Sequence, residues 1–420
     1  MSLSAHSLTV GQFRVHQQNK PSRRRHPEEQ RIGITFVLRS YEDVLGALNK
    51  ATPDIREMAK QAEITGYYSD QVRSLLANTG ACQFLYPKEA GGAMQNADQL
   101  VRLLRQAAYI DGSFGWLLIS YFLAATHSAI YLTCPGFSRL FGDNQQPIVA
   151  GRYQPNGRGE KAEDGFTLTG KWSFASGIHN ADWLVAGFFE TTRGQILKDN
   201  VGKPRVSVAV LPRRDIALTG SWDTTGLRGT GSISYECTEL FVPESACFSF
   251  DHHVVQRGHD IHTIGILELS ALTHGCWALG MAQRVVDEML LLAKRTVRAH
   301  DAAPLYAKET FLLDLARACA KVAAAQAFVI DAARSAQREI LQLGVLGDPA
   351  KSSIRLSATF ANEVAADIAE IAYRHIGTSS IAKRNEIEQV LRDIQTGRQH
   401  MMISPQTYVE YARAHFSGAK

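Results

Sequence analysis

A single histidine near the C-terminus, His400, is the first residue of the sequence that suggests chemistry. It closes the segment "RDIQTGRQH" (392–400), and imidazole is the side chain best able to move protons near neutral pH. Its helical neighbours Thr396 and Gly397 are small, so we expect the ring to face an uncrowded surface. A lone histidine is more often structural, and at this point both roles stay open.

A glycine-rich segment, "GLRGTGS" (226–232), invites interpretation as a phosphate-binding loop. It lacks the GxGxxG spacing, and it leads into a strand, whereas a dinucleotide-binding loop needs the N-terminus of a helix behind its glycines. The sequence alone therefore favours a turn before a strand.

Four histidines lie together in "DHHVVQRGHDIH" (251–262): His252, His253, His259 and His262. Clustered imidazoles can bind a transition metal, but no carboxylate or cysteine completes a recognisable spacing. We expect solvated or ligand-lining histidines and predict no metal.

The segment "GKWSFASGIHNADW" (170–183) combines large aromatic residues with small polar ones. A buried strand would use Trp172, Phe174 and Trp183, but it gives no reason for Ser176 and Gly177 beside them. Composition alone does not explain why small polar residues accompany the aromatic ones in this segment.

The chain has 420 residues, of which 45% are hydrophobic, and a net charge of +4. Much of the basic excess lies in "NKPSRRRHPEEQR" (19–31), so we predict no nucleic-acid partner. The six cysteines are scattered and the N-terminus lacks a secretory pattern, which favours a cytoplasmic protein. The most apolar run, 114–125, is too short to span a bilayer and predicts a buried helix, with no membrane association.

The periodicity of apolar residues predicts an α+β protein in four segments. Residues 1–40 form a basic flexible extension, and 41–145 form an N-terminal helical domain. Residues 146–255 form a central antiparallel β-domain, and 256–420 form a C-terminal helical bundle.

Four motifs, taken in order, resemble one group of flavoenzymes. "DGSFGW" (111–116), "WSFASG" (172–177), "GLRGTGS" (226–232) and "RD…H" (392–400) match patterns typical of the flavin-dependent monooxygenases with the acyl-CoA dehydrogenase fold. This group includes the oxygenase component of p-hydroxyphenylacetate hydroxylase, steroid-ring hydroxylases and dibenzothiophene monooxygenase. The resemblance covers roughly residues 45–415 and implies a helical domain, a central antiparallel β-domain and a four-helix bundle.

The resemblance implies a two-component reaction. A separate NAD(P)H-flavin reductase would supply reduced flavin, with FMNH2 as the first choice and FADH2 as the alternative. O2 would then form a C4a-hydroperoxyflavin that hydroxylates a small aromatic or amine substrate. Excluded water and fixed hydrogen bonds protect such an adduct. The resemblance also implies a homotetramer.

The same resemblance assigns roles to individual residues. Ser176 would lie near flavin N5 and His400 near the reacting oxygen. Cofactor contacts would come from Phe174, Ser176, Gly177, Arg228, Thr230 and Ser232, with Arg295 or Arg298 on the flavin phosphate. The substrate would contact Trp116, His127 and His179.

Two other functions stay open. An FAD-dependent acyl-CoA dehydrogenase needs a glutamate base, usually in a Tyr-Glu-Gly-Thr segment that "HIGTSSIAKRNEIEQVLRD" (375–393) lacks. Glu386 and Glu388 belong to a charged helix start that we expect to be solvated, and Glu268 does not align with the alternative base position. The other open function is that of a fold relative that has lost catalysis and binds a ligand or partner.

Overall fold

The computed structural model describes residues 39–251, 254–258, 260–295, 304–377, 386–414 and 416. The predicted extension lies almost entirely outside these residues, as do His252, His253, His259 and Arg298. The described chain begins with the helices α1 (Tyr41–Lys50), α2 (Thr52–Thr65), α3 (Gln71–Thr79), α4 (Ala81–Phe84), α5 (Ala97–Ile110), α6 (Gly112–Tyr131) and α7 (Cys134–Phe141).

Helix α6 is the apolar helix predicted from residues 114–125, and its burial is confirmed. Asp111 starts it, because its Oδ1 atom accepts hydrogen bonds from the Phe114 amide (2.9 Å) and the Tyr68 hydroxyl (2.9 Å). By length and composition alone this 20-residue helix could cross a membrane, but 89% of its apolar window is buried inside the fold. Helix α6 is therefore a core helix, and it carries two residues of the candidate site region, Trp116 and Ser120.

The middle of the chain forms one sheet with the strand order β6-β7-β2-β1-β3-β5-β8, and β4 pairs with β3. The strands are β1 (Val149–Ala162), β2 (Gly165–Trp172), β3 (Trp183–Thr192), β4 (Gln195–Ile196), β5 (Val206–Pro212), β6 (Ala217–Thr219), β7 (Ser234–Pro243) and β8 (Cys247–Ser249). The glycine-rich segment 226–232 lies directly before β7, which confirms the predicted turn before a strand.

The sheet is mixed, so the expectation of antiparallel strands throughout needs one correction. Strands β1 and β3 pair in parallel, with a bulge between Arg152 and Gly157. Residues 173–182 are the cause: after the β1–β2 hairpin they cross over, and β3 joins the other edge of β1 in the same direction. The crossover thus contains Phe174, Ser176 and Gly177, the mixture of aromatic and small residues noted in the sequence.

The C-terminal part is helical: α8 (Ile266–Arg295), α9 (Glu309–Leu343), α10 (Asp348–Ile376), α11 (Glu386–Gly397) and α12 (Gln406–Ala414). Small residues allow close packing, for example where Gly275 of α8 approaches Ala358 of α10. The helix–sheet–helix order and the α+β class predicted from periodicity are confirmed. Of the two roles expected for His262, solvation is excluded, since the residue is buried and its Nε2 lies 2.9 Å from the Leu85 carbonyl oxygen.

Candidate functional site

Three hydroxyl groups from the crossover and the glycine-rich turn form a chain, which we call the hydroxyl cluster (Ser176, Thr230 and Ser232). Ser232 Oγ lies 2.7 Å from both Ser176 Oγ and Thr230 Oγ1. Thr230 donates to the Leu227 carbonyl oxygen (2.8 Å), which can only accept. Because each hydroxyl has one proton, Ser232 then donates to Thr230, and Ser176 donates to Ser232. The proton of Ser176 is therefore directed into the protein.

Two glycines allow the crossover and the turn to meet. Gly177 has φ +76°, and its N–H donates to the Thr230 carbonyl oxygen (2.8 Å). A Cβ atom on Gly177 would overlap the Tyr121 ring, and a Cβ on Gly231 (φ +54°) would overlap the His179 ring. Only glycine combines this backbone conformation with so close an approach.

Beside the hydroxyl cluster, Phe174 presents an aromatic surface. Its φ is +63°, which is uncommon for a residue with a side chain, and 60% of the residue is exposed. The Trp222 ring packs edge-on against it with a centroid distance of 6.0 Å. Trp222 is held by a hydrogen bond from its Nε1 to the Leu227 carbonyl oxygen (3.0 Å). An open apolar ring thus lies next to buried hydroxyl groups, an arrangement that suits a flat ligand with polar edges.

A second group, the imidazole cluster, consists of His274, His400, Trp116 and Trp277. The rings of His274 and His400 stack with centroids 4.0 Å apart and planes 17° apart. Trp116 packs edge-on against His274 (4.8 Å), Trp277 (5.1 Å) and His400 (5.8 Å). The expectation that His400 faces an uncrowded surface is wrong, because the two indoles fill the space that Gly397 leaves beside it.

Hydrogen bonds assign a tautomer to each imidazole of the cluster. The Met402 amide donates to His400 Nδ1 (3.4 Å), so neutral His400 carries its proton on Nε2. His274 Nδ1 lies 2.6 Å from the Ser270 carbonyl oxygen, which can only accept, so His274 carries its proton on Nδ1. His400 therefore offers an N–H donor, and His274 offers a lone pair.

Both imidazoles of the cluster are held neutral. Burial, and to a smaller extent Arg152, lowers the pKa of His274 to about 4. Burial also lowers the pKa of His400 well below its usual range, with His274 and Arg152 adding to the effect. Neither ring carries a charge at neutral pH.

Arg152 of β1 is the cation that contributes to lowering the pKa of both His274 and His400. It is half-buried, and its Nη2 donates to Gln154 Oε1 (3.3 Å). Its peptide N–H donates to the Tyr235 hydroxyl (3.0 Å), which fixes the strand before the bulge.

The two clusters are connected through α6 and α11. Ser120, one turn after Trp116 on α6, donates to the Ser176 carbonyl oxygen (3.1 Å). On α11, the buried Asp393 accepts the Leu227 N–H (2.6 Å) and so holds the glycine-rich turn. Burial, with Asp111 nearby, raises the pKa of Asp393 well above its usual range. The motif residues that lie far apart in sequence are therefore brought into one region.

Other predicted site residues lie around these clusters. His179 stacks on Tyr67 at 4.5 Å against the glycine-rich turn, and burial, with Arg213, lowers its pKa. Arg228 donates to the carbonyl oxygens of Glu63 (3.1 Å) and Thr224 (2.9 Å) and lies close to the Glu63 carboxylate. Its guanidinium is engaged in holding the turn.

The remaining predicted residues are less central. His127 is fully buried, with Nδ1 2.9 Å from the Tyr153 hydroxyl, and its ring stacks on Tyr131. Neither tyrosine belongs to a cluster. Arg295 ends α8, and its side chain lies outside the described residues. The structure therefore groups Ser176, Thr230, Ser232, Trp116 and His400, but not His127.

Sequence reasoning missed three residues of this region: Arg152, His274 and Trp277. A charged residue in the otherwise apolar strand start "IVAGRY" (148–153) was a signal for Arg152. His274 and Trp277 share a helix face at a spacing of three, but an Ala- and Leu-rich helix offers many such pairs. Their importance follows only from the helices that pack on them.

The chain is similar in sequence and in structure to flavoenzymes. Residues 272–405 match the family model "Acyl-CoA dehydrogenase, C-terminal domain". The chain is 25% identical to the flavin-dependent monooxygenase oxygenase subunit HsaA of Rhodococcus jostii, over 88% of this chain and 97% of that protein. It is 27% identical to indole-3-acetate monooxygenase of Pseudomonas putida, over 81% and 84%. The structure of XiaF from Streptomyces sp. in complex with FADH2 and glycerol covers 90% of this chain and 96% of its own, with a TM-score of 0.81 and 19% identity.

The fold is therefore that of the acyl-CoA dehydrogenases, as predicted. The resemblance to flavin-dependent monooxygenases of this fold is confirmed, and with it the predicted class of enzyme. The similarity extends along most of the chain rather than through one motif.

Proposed function

We propose that this chain is the oxygenase component of a two-component monooxygenase, which uses reduced flavin and O2 through a C4a-hydroperoxyflavin to hydroxylate a small aromatic or amine substrate. The observation that carries the proposal is the pair of clusters: a buried hydroxyl chain beside an open aromatic surface, joined through α6 to neutral imidazoles. A bound flavin would supply the oxygen chemistry. The protein supplies position, dryness and proton control.

The residues around the hydroxyl cluster fit an isoalloxazine ring. Phe174 and Trp222 present the aromatic surface on which a flat ring packs. Gly177 and Gly231 bring backbone close without side chains in the way. Arg295 or Arg298 stays our prediction for the phosphate, since an arginine fork binds phosphate bidentately. FMNH2 is the first choice, and FADH2, the ligand of XiaF, is the alternative.

Ser176 can donate to a ligand only if the hydroxyl chain reverses. In the reversed chain Ser232 donates to Ser176 and Thr230 donates to Ser232, so the bond from Thr230 to Leu227 is lost. One hydrogen bond to a carbonyl is then exchanged for one to the ligand. We infer that Ser176 becomes a donor when the cofactor binds and not before.

His400 acts through its Nε2–H. A neutral imidazole with the proton on Nε2 is a hydrogen-bond donor at that atom, so a hydrogen-bonding role is favoured over the base role. The indole of Trp116, which itself packs on Trp277, excludes water from one side of the His400 ring.

None of the three glutamates considered for a dehydrogenase reaction is placed as a base. Glu268 is buried and ion-paired with Arg355 (2.7 Å). Glu386 pairs with Arg284 (2.7 Å) but its side chain is 53% exposed, so the expectation of a solvated helix start holds there. Glu388 pairs with Arg392 (2.5 Å) and is only 19% exposed, so the expectation is wrong for Glu388. Each glutamate considered is committed to an arginine.

We also propose that a separate reductase supplies the reduced flavin and that this chain forms a homotetramer. The names of relatives as oxygenase subunit or component support a reductase partner. The first turn of α9 exposes Leu312 and Leu313, an apolar surface suited to contact with another subunit. Six unpaired cysteines are in keeping with a cytoplasmic location.

Rapid mixing tests the proposal. The anaerobic complex of the protein with FADH2 or FMNH2 is mixed with oxygenated buffer, and absorbance is followed from the near-ultraviolet to the visible. We expect an adduct that absorbs in the near-ultraviolet and persists before oxidised flavin appears. Direct conversion to oxidised flavin with both cofactors, at the rate of free reduced flavin, would overturn the proposal.

A further inference from the structure

His274 keeps one ring nitrogen unengaged beside His400. Its Nδ1–H donates to the Ser270 carbonyl oxygen (2.6 Å), one turn earlier on α8. Among the residues that the structure describes, none donates to its other nitrogen, Nε2, and this atom is not fully enclosed by protein. His274 is only 4% exposed, so the small part that a ligand can reach includes a hydrogen-bond acceptor.

Packing fixes the position of the His274 ring. The ring stacks on His400 with a centroid distance of 4.0 Å, and Trp116 packs edge-on against it at 4.8 Å. The backbone is held as well, because Asn362 of α10 donates to the His274 carbonyl oxygen (3.4 Å). A few polar groups held in place within an apolar site are what fixes the orientation of a small ligand.

A histidine elsewhere in the bundle shows the contrast. The Nε2 atom of His375 lies 2.9 Å from the Asp314 carboxylate, so this atom is engaged inside the protein. At the candidate site, His274 and His400 both keep Nε2 for another partner, but only His400 has its proton there. The stacked pair therefore offers one acceptor and one donor.

An acceptor has a chemical use in the transfer of an electrophilic oxygen to an aromatic ring. Positive charge develops on an O–H or N–H group of the ring as the ring attacks the oxygen, and an acceptor placed at that group stabilises this charge. His400 cannot fill this role through Nε2, which carries its proton. Burial lowers the pKa of His274 to about 4, so the ring accepts a hydrogen bond at neutral pH without taking the proton.

Resting on the proposed function, we propose that His274 Nε2 accepts a hydrogen bond from an O–H or N–H group of the substrate and so orients the substrate ring for oxygen transfer. His274 is then a substrate-binding residue that lies outside all four sequence motifs. The two imidazoles have different tasks, because His274 accepts and His400 donates.

The test compares ligands of nearly equal shape that differ in one donor: indole with benzofuran, and phenol with fluorobenzene. Each is titrated by calorimetry into the anaerobic protein–FADH2 complex, and the ratio of the two dissociation constants is taken for each pair. We expect the preference for the donor ligand to fall by about fivefold in His274→Phe relative to the wild type, as for the loss of one neutral hydrogen bond.

The variants separate the acceptor from the ring. His274→Phe removes the acceptor but keeps a ring that can stack on His400, and retained affinity for benzofuran shows that this variant is folded. His274→Leu also lacks an acceptor and should give the same ratios. His274→Gln has an amide oxygen that can replace Nε2, so it should keep the preference. His375→Phe, the same change at a histidine outside both clusters, is the matched control and should keep the wild-type ratios.

Two results would overturn the inference. One is an unchanged ratio in His274→Phe and His274→Leu for both pairs, and the other is failure of all four ligands to bind the wild-type complex. Because the titrations need no oxygen, a donor preference that depends on His274, without any oxygen adduct, would contradict the proposed function and leave this inference standing. An adduct that forms while the ratios stay unchanged would do the reverse.

Discussion

The hydroxyl cluster and the imidazole cluster both hold polar side chains away from water, but they offset the cost of burial in different ways. The hydroxyl cluster satisfies its atoms with hydrogen bonds, and its state depends on the direction in which three protons point. The imidazole cluster uses burial and ring stacking to remove charge. The first responds to a hydrogen-bond acceptor and the second to pH, so the two can be changed independently.

The largest expected effect comes from removing the donor of the imidazole cluster. His400→Ala should lower the rate of substrate hydroxylation by roughly 10²–10³-fold, the effect of losing one preorganised hydrogen-bond donor, while an oxygen adduct still forms. His400→Gln, whose amide N–H can replace Nε2–H, is the matched control and should retain more activity. Single-turnover product analysis measures both. Equal rates for the Ala and Gln variants would exclude the donor role.

In the hydroxyl cluster, Ser176→Ala removes the end of the chain that meets the ligand. We expect hydrogen peroxide release from the oxygen adduct to accelerate by about 10²-fold, the effect of losing one preorganised donor, with a much smaller change in flavin affinity. Ser173→Ala is the control, because Ser173 pairs with Ser234 (3.0 Å) outside the cluster. A parallel change in flavin affinity would show that Ser176 only shapes the binding surface.

The pH dependence of folding separates the clusters. The pKa of His274 is about 4 in the folded protein against 6.5 when unfolded, so the unfolded chain binds more protons between these values. Stability should therefore be unaffected above pH 6.5 and fall by up to about 3 kcal/mol as pH drops towards 4. His274→Phe should reduce this slope and leave the part that buried His400 contributes, and Ser176→Ala should not change it. Urea unfolding at several pH values provides the measurement, and an unchanged slope in His274→Phe contradicts the assignment.

The smallest effect concerns the direction of the hydroxyl chain. Thr230→Val removes the proton that fixes the chain towards Leu227, so Ser176 is released to donate. We expect the adduct to decay a few-fold more slowly, in the opposite sense to Ser176→Ala, since one neutral hydrogen bond is worth about 1 kcal/mol. Thr230→Ser keeps the hydroxyl and should match the wild type. Faster decay in Thr230→Val would mean that the chain does not reverse.

The sequence predicts one cluster better than the other, for a physical reason. Ser176, Thr230 and Ser232 lie in loops whose glycines and turns are local signals. The stack joins His274 of α8 to His400 in the turn after α11, 126 positions later in the sequence. Its geometry depends on the indoles that fill the space beside Gly397. Arg152 and the parallel β1–β3 pair escaped prediction because both depend on how the crossover returns the chain to the sheet.

The contact between Leu227 and Asp393 has a consequence for protein engineering. Asp393 is buried and has the Leu227 amide as a partner, and Gly226 leaves no room for a side chain against the Arg392 carbonyl group. Segments exchanged between relatives must therefore carry residues 224–232 and α11 from the same parent. A chimera that took only one of them would leave the buried Asp393 carboxyl group without its hydrogen-bond donor. It would also displace His400 and the loop that holds Ser232.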